Sequence, residues 1–251
     1  MKPLVDTTPG AKTLLNALSH GQPPDICAAE GVGWIEKVAR VLSRIVHDAV
    51  PKFTGHGTCG VFGEKSMTKV NFMHDTICKV QQKVNTVCEL GFNAGHSSLL
   101  FLLTVPNARV ISFDLGDIPW ARWGGALLNT THGHRFEYVM GNSAVTIPKY
   151  AKAHPEVKCD LLLIDGGKEY NLRKADLNNF RTMSNTGSTL LFDEVCQEDC
   201  VRGANRSNIC DTCWNGCTKA YARAAATGLL KIDECAMVRE TGDGMCSAVY
   251  L

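Results

Sequence analysis

The chain has 251 residues, 45% hydrophobic and 20% charged, with 26 basic and 25 acidic side chains that leave a formal net charge of +1. That size and balance fit one compact domain spanning 1–251, and the even spread of charge along the sequence gives no sign of a polyanion surface, so nucleic acid is not an expected partner. The longest apolar run, around Leu99–Leu103, is far short of the ~20 residues needed to cross a bilayer. The first residues also lack the apolar core of a secretory signal, so the reading is no membrane and either a cytoplasmic location or a processed fragment, with an oxidising compartment left open by the Cys-rich tail.

Residues 1 to about 30 are punctuated by Pro and Gly, and Gly33–Val50 then carries apolar residues at Ile35, Val38, Val41, Leu42, Ile45 and Ala49, which is helical spacing. A Gly-rich loop over 55–63 leads to a second helix at about 68–83, so 1–66 reads as an N-terminal helical cover. From there β-type runs near 85–90, 109–114, 136–140, 159–165 and 187–193 alternate with helical ones near 96–105, 118–130, 143–153 and 169–183, the pattern of a doubly wound α/β sheet. A last helix is expected over 215–227. Two closing segments, 230–238 and 245–251, flank Glu240-Thr241-Gly242-Asp243-Gly244, whose composition suits a hairpin turn.

The stretch Val87-Cys88-Glu89-Leu90-Gly91-Phe92-Asn93-Ala94-Gly95-His96-Ser97-Ser98 is a strand that ends in an acid, a glycine turn and a helix start. Dinucleotide sites seat a pyrophosphate with G-x-G-x-x-G, whereas here three residues separate Gly91 from Gly95 and an acid precedes them. E-x-G-x-x-x-G resembles motif I of the class I S-adenosylmethionine-dependent methyltransferases. That donor carries an ammonium and a sulfonium, to which Glu89 could offer its carboxylate. The resemblance implies a mostly parallel, Rossmann-like sheet of seven strands whose last two form an antiparallel hairpin. It also implies a donor site built from Glu89, Gly91, Asn93, Gly95 and Ser97, with Asp114 at the end of the next strand holding the ribose hydroxyls and Gly141, Asn142 and Ser143 beside the adenosine. Asn142 or Ser143 is equally readable as a helix N-cap.

Downstream, Cys159-Asp160-Leu161-Leu162-Leu163-Ile164-Asp165-Gly166-Gly167-Lys168-Glu169-Tyr170 runs a buried-type strand into an acidic turn, and Ser188-Thr189-Leu190-Leu191-Phe192-Asp193-Glu194-Val195 does the same. Parallel strands open their carboxyl ends onto one crevice, so Asp165, Asp193 and Glu194 should converge there, and three clustered carboxylates need a cation. D-G-G-x-x-Y followed by D-E-V looks like the metal-dependent small-molecule O-methyltransferases, the macrolide-sugar enzymes among them, while D-x-x-K is similar to the catechol and caffeoyl-coenzyme A types. The resemblance implies Asp165, Asp193 and Glu194 as ligands of Mg2+ or a similar ion, Asp165 also at the donor, and Lys168 as the base that takes the acceptor's proton. The sequence departs from both parents, since the sugar type has His at the position of Lys168 and the catechol type has Asn at that of Glu194. An unperturbed lysine is neutral in only about one molecule in 2,500 at pH 7, so the base role requires a lowered pKa. The implied partner is a small hydroxylated acceptor, a catechol-like phenol or a sugar, with room for a homodimer.

Twelve cysteines are many for a cytoplasmic enzyme. The cluster Cys196, Cys200, Cys210, Cys213 and Cys217 reads as zinc ligands, disulfides or reduced thiols, and its position after Glu194 makes 196–217 a candidate substrate lid near Trp214. His74 and His96 are candidates for catalysis or for plain hydrogen bonds. Two rival functions stand beside methyl transfer: a silent module that binds S-adenosylmethionine for regulation, and a nicotinamide oxidoreductase, which the missing G-x-G-x-x-G disfavours.

Overall fold

A computed structural model describes residues 8–19, 25–28, 31–49, 67–196, 198–201, 216–238 and 243–251. In chain order the elements are α1 (Thr8–Ser19), α2 (Gly31–Ala49), α3 (Met67–Val80), β1 (Thr86–Leu90), α4 (His96–Thr104), β2 (Arg109–Asp114), α5 (Pro119–His132) and β3 (Phe136–Met140). They continue with α6 (Ser143–Ala153), β4 (Cys159–Ile164), α7 (Tyr170–Thr182), β5 (Ser184–Val195), α8 (Glu198–Val201), α9 (Gly216–Ala226), β6 (Leu230–Met237) and β7 (Gly244–Tyr250). The expected boundaries hold to within a few residues, with two omissions, α1 and the four-residue α8. Helix α1 lies in the stretch read as punctuated coil, because Pro9 and Gly10 fall in its first turn, where a missing N–H costs nothing, while Ala11 and Leu14 are buried.

The seven strands form one sheet in the order β3-β2-β1-β4-β5-β7-β6. Strands β1 to β5 are parallel, and β7 pairs antiparallel with both β5 and β6. Period-two alternation explains the layering. Val87, Val110, Leu161, Leu163 and Leu191 face the core shared with α1 to α5, whereas Cys88, Ile111, Phe113, Leu162, Ile164 and Phe192 face the core shared with α6, α7 and α9. Burial on both faces is why these strands read as continuous apolar runs. The chain reverses its winding between β1 and β4, so the carboxyl ends of those neighbours open a crevice.

Among the described residues three disulfides tie this frame together: Cys27–Cys78, Cys88–Cys159 and Cys235–Cys246. The first anchors the 25–28 segment to the end of α3, the second joins β1 to β4 beneath the crevice, and the third crosses the terminal hairpin at directly opposed positions. Cys196 is also disulfide-bonded, and Cys217 is a buried free thiol. Most of the candidate lid at 196–217, Trp214 included, and the 55–63 loop lie outside the described residues. Among the described residues no helix is long and apolar enough to cross a membrane.

Candidate active site

The turn after β1 is shaped by three left-handed residues, Gly91 at φ 100°, Asn93 at φ 50° and Gly95 at φ 93°. Gly91 is required by contact as well as by angle: a Cβ there would lie 2.1 Å from the carbonyl oxygen of Asp165. The backbone N–H of Asn93 donates to Asp114 Oδ2 at 3.1 Å, Gly116 N–H donates to Asp114 Oδ1 at 2.8 Å, and Trp120 Nε1 donates to Asn93 Oδ1 at 2.7 Å. Asp114 is thereby pinned at the rim of a cavity of about 550 Å³, a size suited to one small cofactor and a substrate. Gly91, Asn93, Asp114, Gly141, Asn142, Ser143 and Asp165 all line it. Asn142 also serves as the N-cap of α6, accepting from Ala144 N–H at 2.9 Å.

Glu89, Gly95 and Ser97 are not on the cavity wall. Strand alternation places Glu89 on the same side as Val87, toward α4, where it is fully buried. Ser97 and Ser98 donate one hydroxyl to each of its oxygens, and Ser112 donates a third hydrogen bond at 2.7 Å. Burial raises its pKa, and the three hydroxyls pull it partway back. Glu89 therefore stitches β1, β2 and α4 together behind the loop, and the carboxylates facing the cavity beside that loop are Asp114 and Asp165. His96 is likewise structural: its Nε2 lies 2.7 Å from Ser43 Oγ on α2, and burial lowers its pKa to about 4, so the ring is neutral. His74 meets the Ile26 carbonyl at 2.6 Å, away from the cavity.

The three predicted carboxylates do converge. Oxygen atoms of Asp165, Asp193 and Glu194 lie within 4.8 Å of one another. Two neighbouring strand residues should point to opposite faces, yet Asp193 and Glu194 both reach the cavity. Glu194 takes φ 69°, and the pairing of β5 with β7 shifts register between Phe192 and Val195, which swings the second carboxylate round. Burial, then repulsion from Asp193 and Glu194, pushes Asp165 well above the usual carboxylate range, while Arg173 and Lys69 oppose the rise. Burial raises Asp193 too, against the pull of Lys69. Two carboxyl groups reluctant to ionise beside a third are a donor set that a hard divalent cation fits, since it would supply the missing positive charge.

Lys168 reaches this cluster, with Nζ 2.5 Å from Glu194 Oε1 and the side chain 61% exposed. Its partial burial would lower the pKa, but the hydrogen bond and charge of Glu194 outweigh it and the net movement is upward. The lowered pKa that the base role requires is not present while Glu194 holds the ammonium. Beneath the cluster Arg173 is wholly buried, donating to the Gly166 carbonyl at 3.3 Å with its guanidinium 5.6 Å from the ring centre of Tyr221.

Four charged residues on the wall carry no site signal in the sequence: Lys69, Asp117, Asp176 and Asp243. Lys69, from α3, is 8% exposed and pairs with Asp193 at 2.8 Å and with Asp243. Asp176, 1% exposed, accepts from Ser143 Oγ at 2.7 Å. No local signal marks Lys69, since its partners lie more than a hundred residues away. Asp243 carries only a turn signal in the sequence.

Residues 88–195 match the family model described as a methyltransferase domain. Solved structures share the fold across most of the chain. An O-methyltransferase from Bacillus cereus in complex with SAH aligns with a TM-score of 0.60 at 16% identity, covering 85% of this chain and 90% of that one. TomG from Streptomyces achromogenes, an O-methyltransferase of tomaymycin synthesis in complex with SAM, gives 0.57 at 13% identity, with 86% and 89% covered. CalS11, a TDP-rhamnose 3'-O-methyltransferase of calicheamicin biosynthesis, gives 0.54 at 17% identity, with 98% and 96% covered. No curated protein matches the sequence. The seven-stranded sheet with its antiparallel hairpin is the class I S-adenosylmethionine-dependent methyltransferase fold.

Proposed function

We propose that the chain is an S-adenosylmethionine-dependent, divalent-metal-assisted O-methyltransferase acting on a small hydroxylated acceptor, a catechol-like phenol or a sugar. The observation that carries this reading is that the Gly91 loop and the Asp165, Asp193 and Glu194 oxygens share one cavity, with Gly91 in backbone contact with Asp165. Donor and chemistry are thus adjacent. Asp114, held by two backbone N–H groups, is the acceptor for the ribose hydroxyls, and Asn93, oriented by Trp120, fixes the loop on which the donor rests.

A divalent cation held by Asp165, Asp193 and Glu194 would supply Lewis-acid polarisation of the acceptor oxygen. Lys168 is the residue placed to take the hydroxyl proton, at Nζ, as its bond to Glu194 loosens. Catalysis is then mainly positioning, with attacking oxygen, methyl group and sulfur in line. The charge of the wall also bears on the acceptor. Among the described lining residues the bases are Lys69 and Lys168, and both are already paired with carboxylates. A phosphorylated acceptor such as the TDP-sugar of CalS11 would find no spare cation among these described residues, which supports an uncharged or amine-bearing hydroxyl compound as the acceptor. The disulfides favour an oxidising compartment over the cytoplasmic expectation.

The test is transfer of labelled methyl from S-adenosylmethionine to panels of catechols, free sugars and nucleotide sugars, before and after exhaustive chelation. Transfer that requires Mg2+ and spares the nucleotide sugars is the expected result. Equal transfer after chelation overturns the metal assignment, and no transfer to any panel leaves the donor-binding module as the better reading.

A further inference from the structure

Lys69 is buried among carboxylates and fixed on cross-linked elements. Its helix α3 is tied by the Cys27–Cys78 disulfide, and Asp243 sits at the foot of β7, where Val238 N–H donates to its carbonyl at 2.8 Å and the Cys235–Cys246 disulfide crosses the hairpin. The ammonium contacts Asp193, one of the three converging acids, at 2.8 Å, and contacts Asp243, which is not one of them. Like charges a few ångströms apart in a poorly solvated pocket repel strongly, so Lys69 and a divalent ion cannot both hold Asp193 at full strength.

We propose that Lys69 is a positioning residue that competes with the divalent cation for Asp193, and that Asp243 is the carboxylate that takes the ammonium over, so that α3 and the terminal hairpin together set the affinity of the three-carboxylate site. Before a cation arrives, Lys69 keeps Asp193 oriented into the cavity and offsets part of its charge. On binding, the ammonium retains Asp243 and need not enter solvent or lose every partner. Such a site exchanges its cation readily instead of sequestering it. The inference rests on the metal assignment proposed above.

The experiment measures Mn2+ affinity calorimetrically on the full, oxidised chain without donor, at one pH and ionic strength, for the wild type, Lys69→Met and Asp243→Asn, with circular dichroism to verify folding. The two variants are expected to move in opposite directions: Lys69→Met binds Mn2+ at least ~10-fold more tightly, and Asp243→Asn, which leaves the ammonium wholly to Asp193, binds it several-fold more weakly. If Lys69→Met fails to fold, Asp243→Asn alone decides. Affinities unchanged from wild type, or moved the other way, overturn this inference and leave the metal assignment standing. A wild type that binds no Mn2+ overturns the metal assignment itself.

Discussion

Gly91 and Asp165 touch through their main chains, the carbonyl of Asp165 filling the space where a side chain on Gly91 would begin. The residue that shapes the donor loop and the residue that starts the acidic cluster are therefore one unit. Asp165 N–H also donates to the Leu90 carbonyl at 2.8 Å, so β4 and β1 are locked together at their carboxyl ends.

Gly91→Ala should damage both halves of the site at once. The left-handed angle alone costs about 1–3 kcal/mol for a residue with a Cβ, and the backbone clash adds to it. We expect a loss of at least ~3 kcal/mol in denaturant unfolding together with loss of S-adenosylhomocysteine binding. Unchanged stability would mean that the two strand ends part at little cost.

Glu194→Gln keeps the shape of the side chain and removes one charge from the cluster. Transfer should fall by ~100-fold or more while S-adenosylhomocysteine affinity stays within about threefold, since that carboxyl faces the chemistry rather than the donor loop. A variant with normal turnover and normal Mg2+ dependence would remove Glu194 from the ligand set.

Lys168→Ala tests the proton acceptor. General-base contributions run at about 10²–10⁴ in rate, so kcat should drop within that range with donor binding unaffected, and Lys168→Arg should fail to rescue it because a guanidinium does not give up its proton. Full turnover in the alanine variant assigns proton removal elsewhere.

His96 makes the fold sensitive to acid. Its pKa is about 4 in the folded chain against ~6.5 when unfolded, so the unfolded chain takes the proton first as pH falls. The stability it contributes is complete above the unfolded value and is lost progressively toward the folded one. Between pH 7 and pH 5 the loss should be roughly 2 kcal/mol, and His96→Gln, which can still bond Ser43, should lack that component in urea unfolding at the two pH values.

The Cys88–Cys159 bridge closes a loop of 71 residues across β1 and β4. Replacing both cysteines with alanine should lower stability by about 2–4 kcal/mol through the added freedom of the unfolded chain. Intact mass measured with and without reductant should first establish that the bridge is present. Free thiols at both positions would remove the argument for an oxidising compartment that rests on them.

The strands, their order of use and the three converging acids were legible because parallel strands announce themselves as apolar runs and their ends carry the acids. The role of Glu89 was not, although the clue was present. Counting in twos from Val87 puts Glu89 on the α4 side, where Ser97 and Ser98 wait in the first turn of that helix. Strand alternation, and not the glycine motif, tells which side that carboxylate takes. Lys69 and Asp243 were beyond local reading, since they meet only when α3 docks against the hairpin 174 residues away. Helix α1 was hidden by Pro9 and Gly10, which look like a break unless they are placed in a first turn.

The left-handed backbone at Glu194 sets stability against chemistry at a single position. Asparagine adopts that conformation more readily than glutamate, and it is the residue that the catechol-type pair carries there. Glu194→Asn would relax the main chain and relieve crowding among the acids, yet weaken the hold on a cation and release Lys168 from its partner. A sequence optimised for robustness alone would drift away from glutamate here, so thermostabilising designs on this scaffold should leave residue 194 untouched even though it is among the easiest places to gain stability.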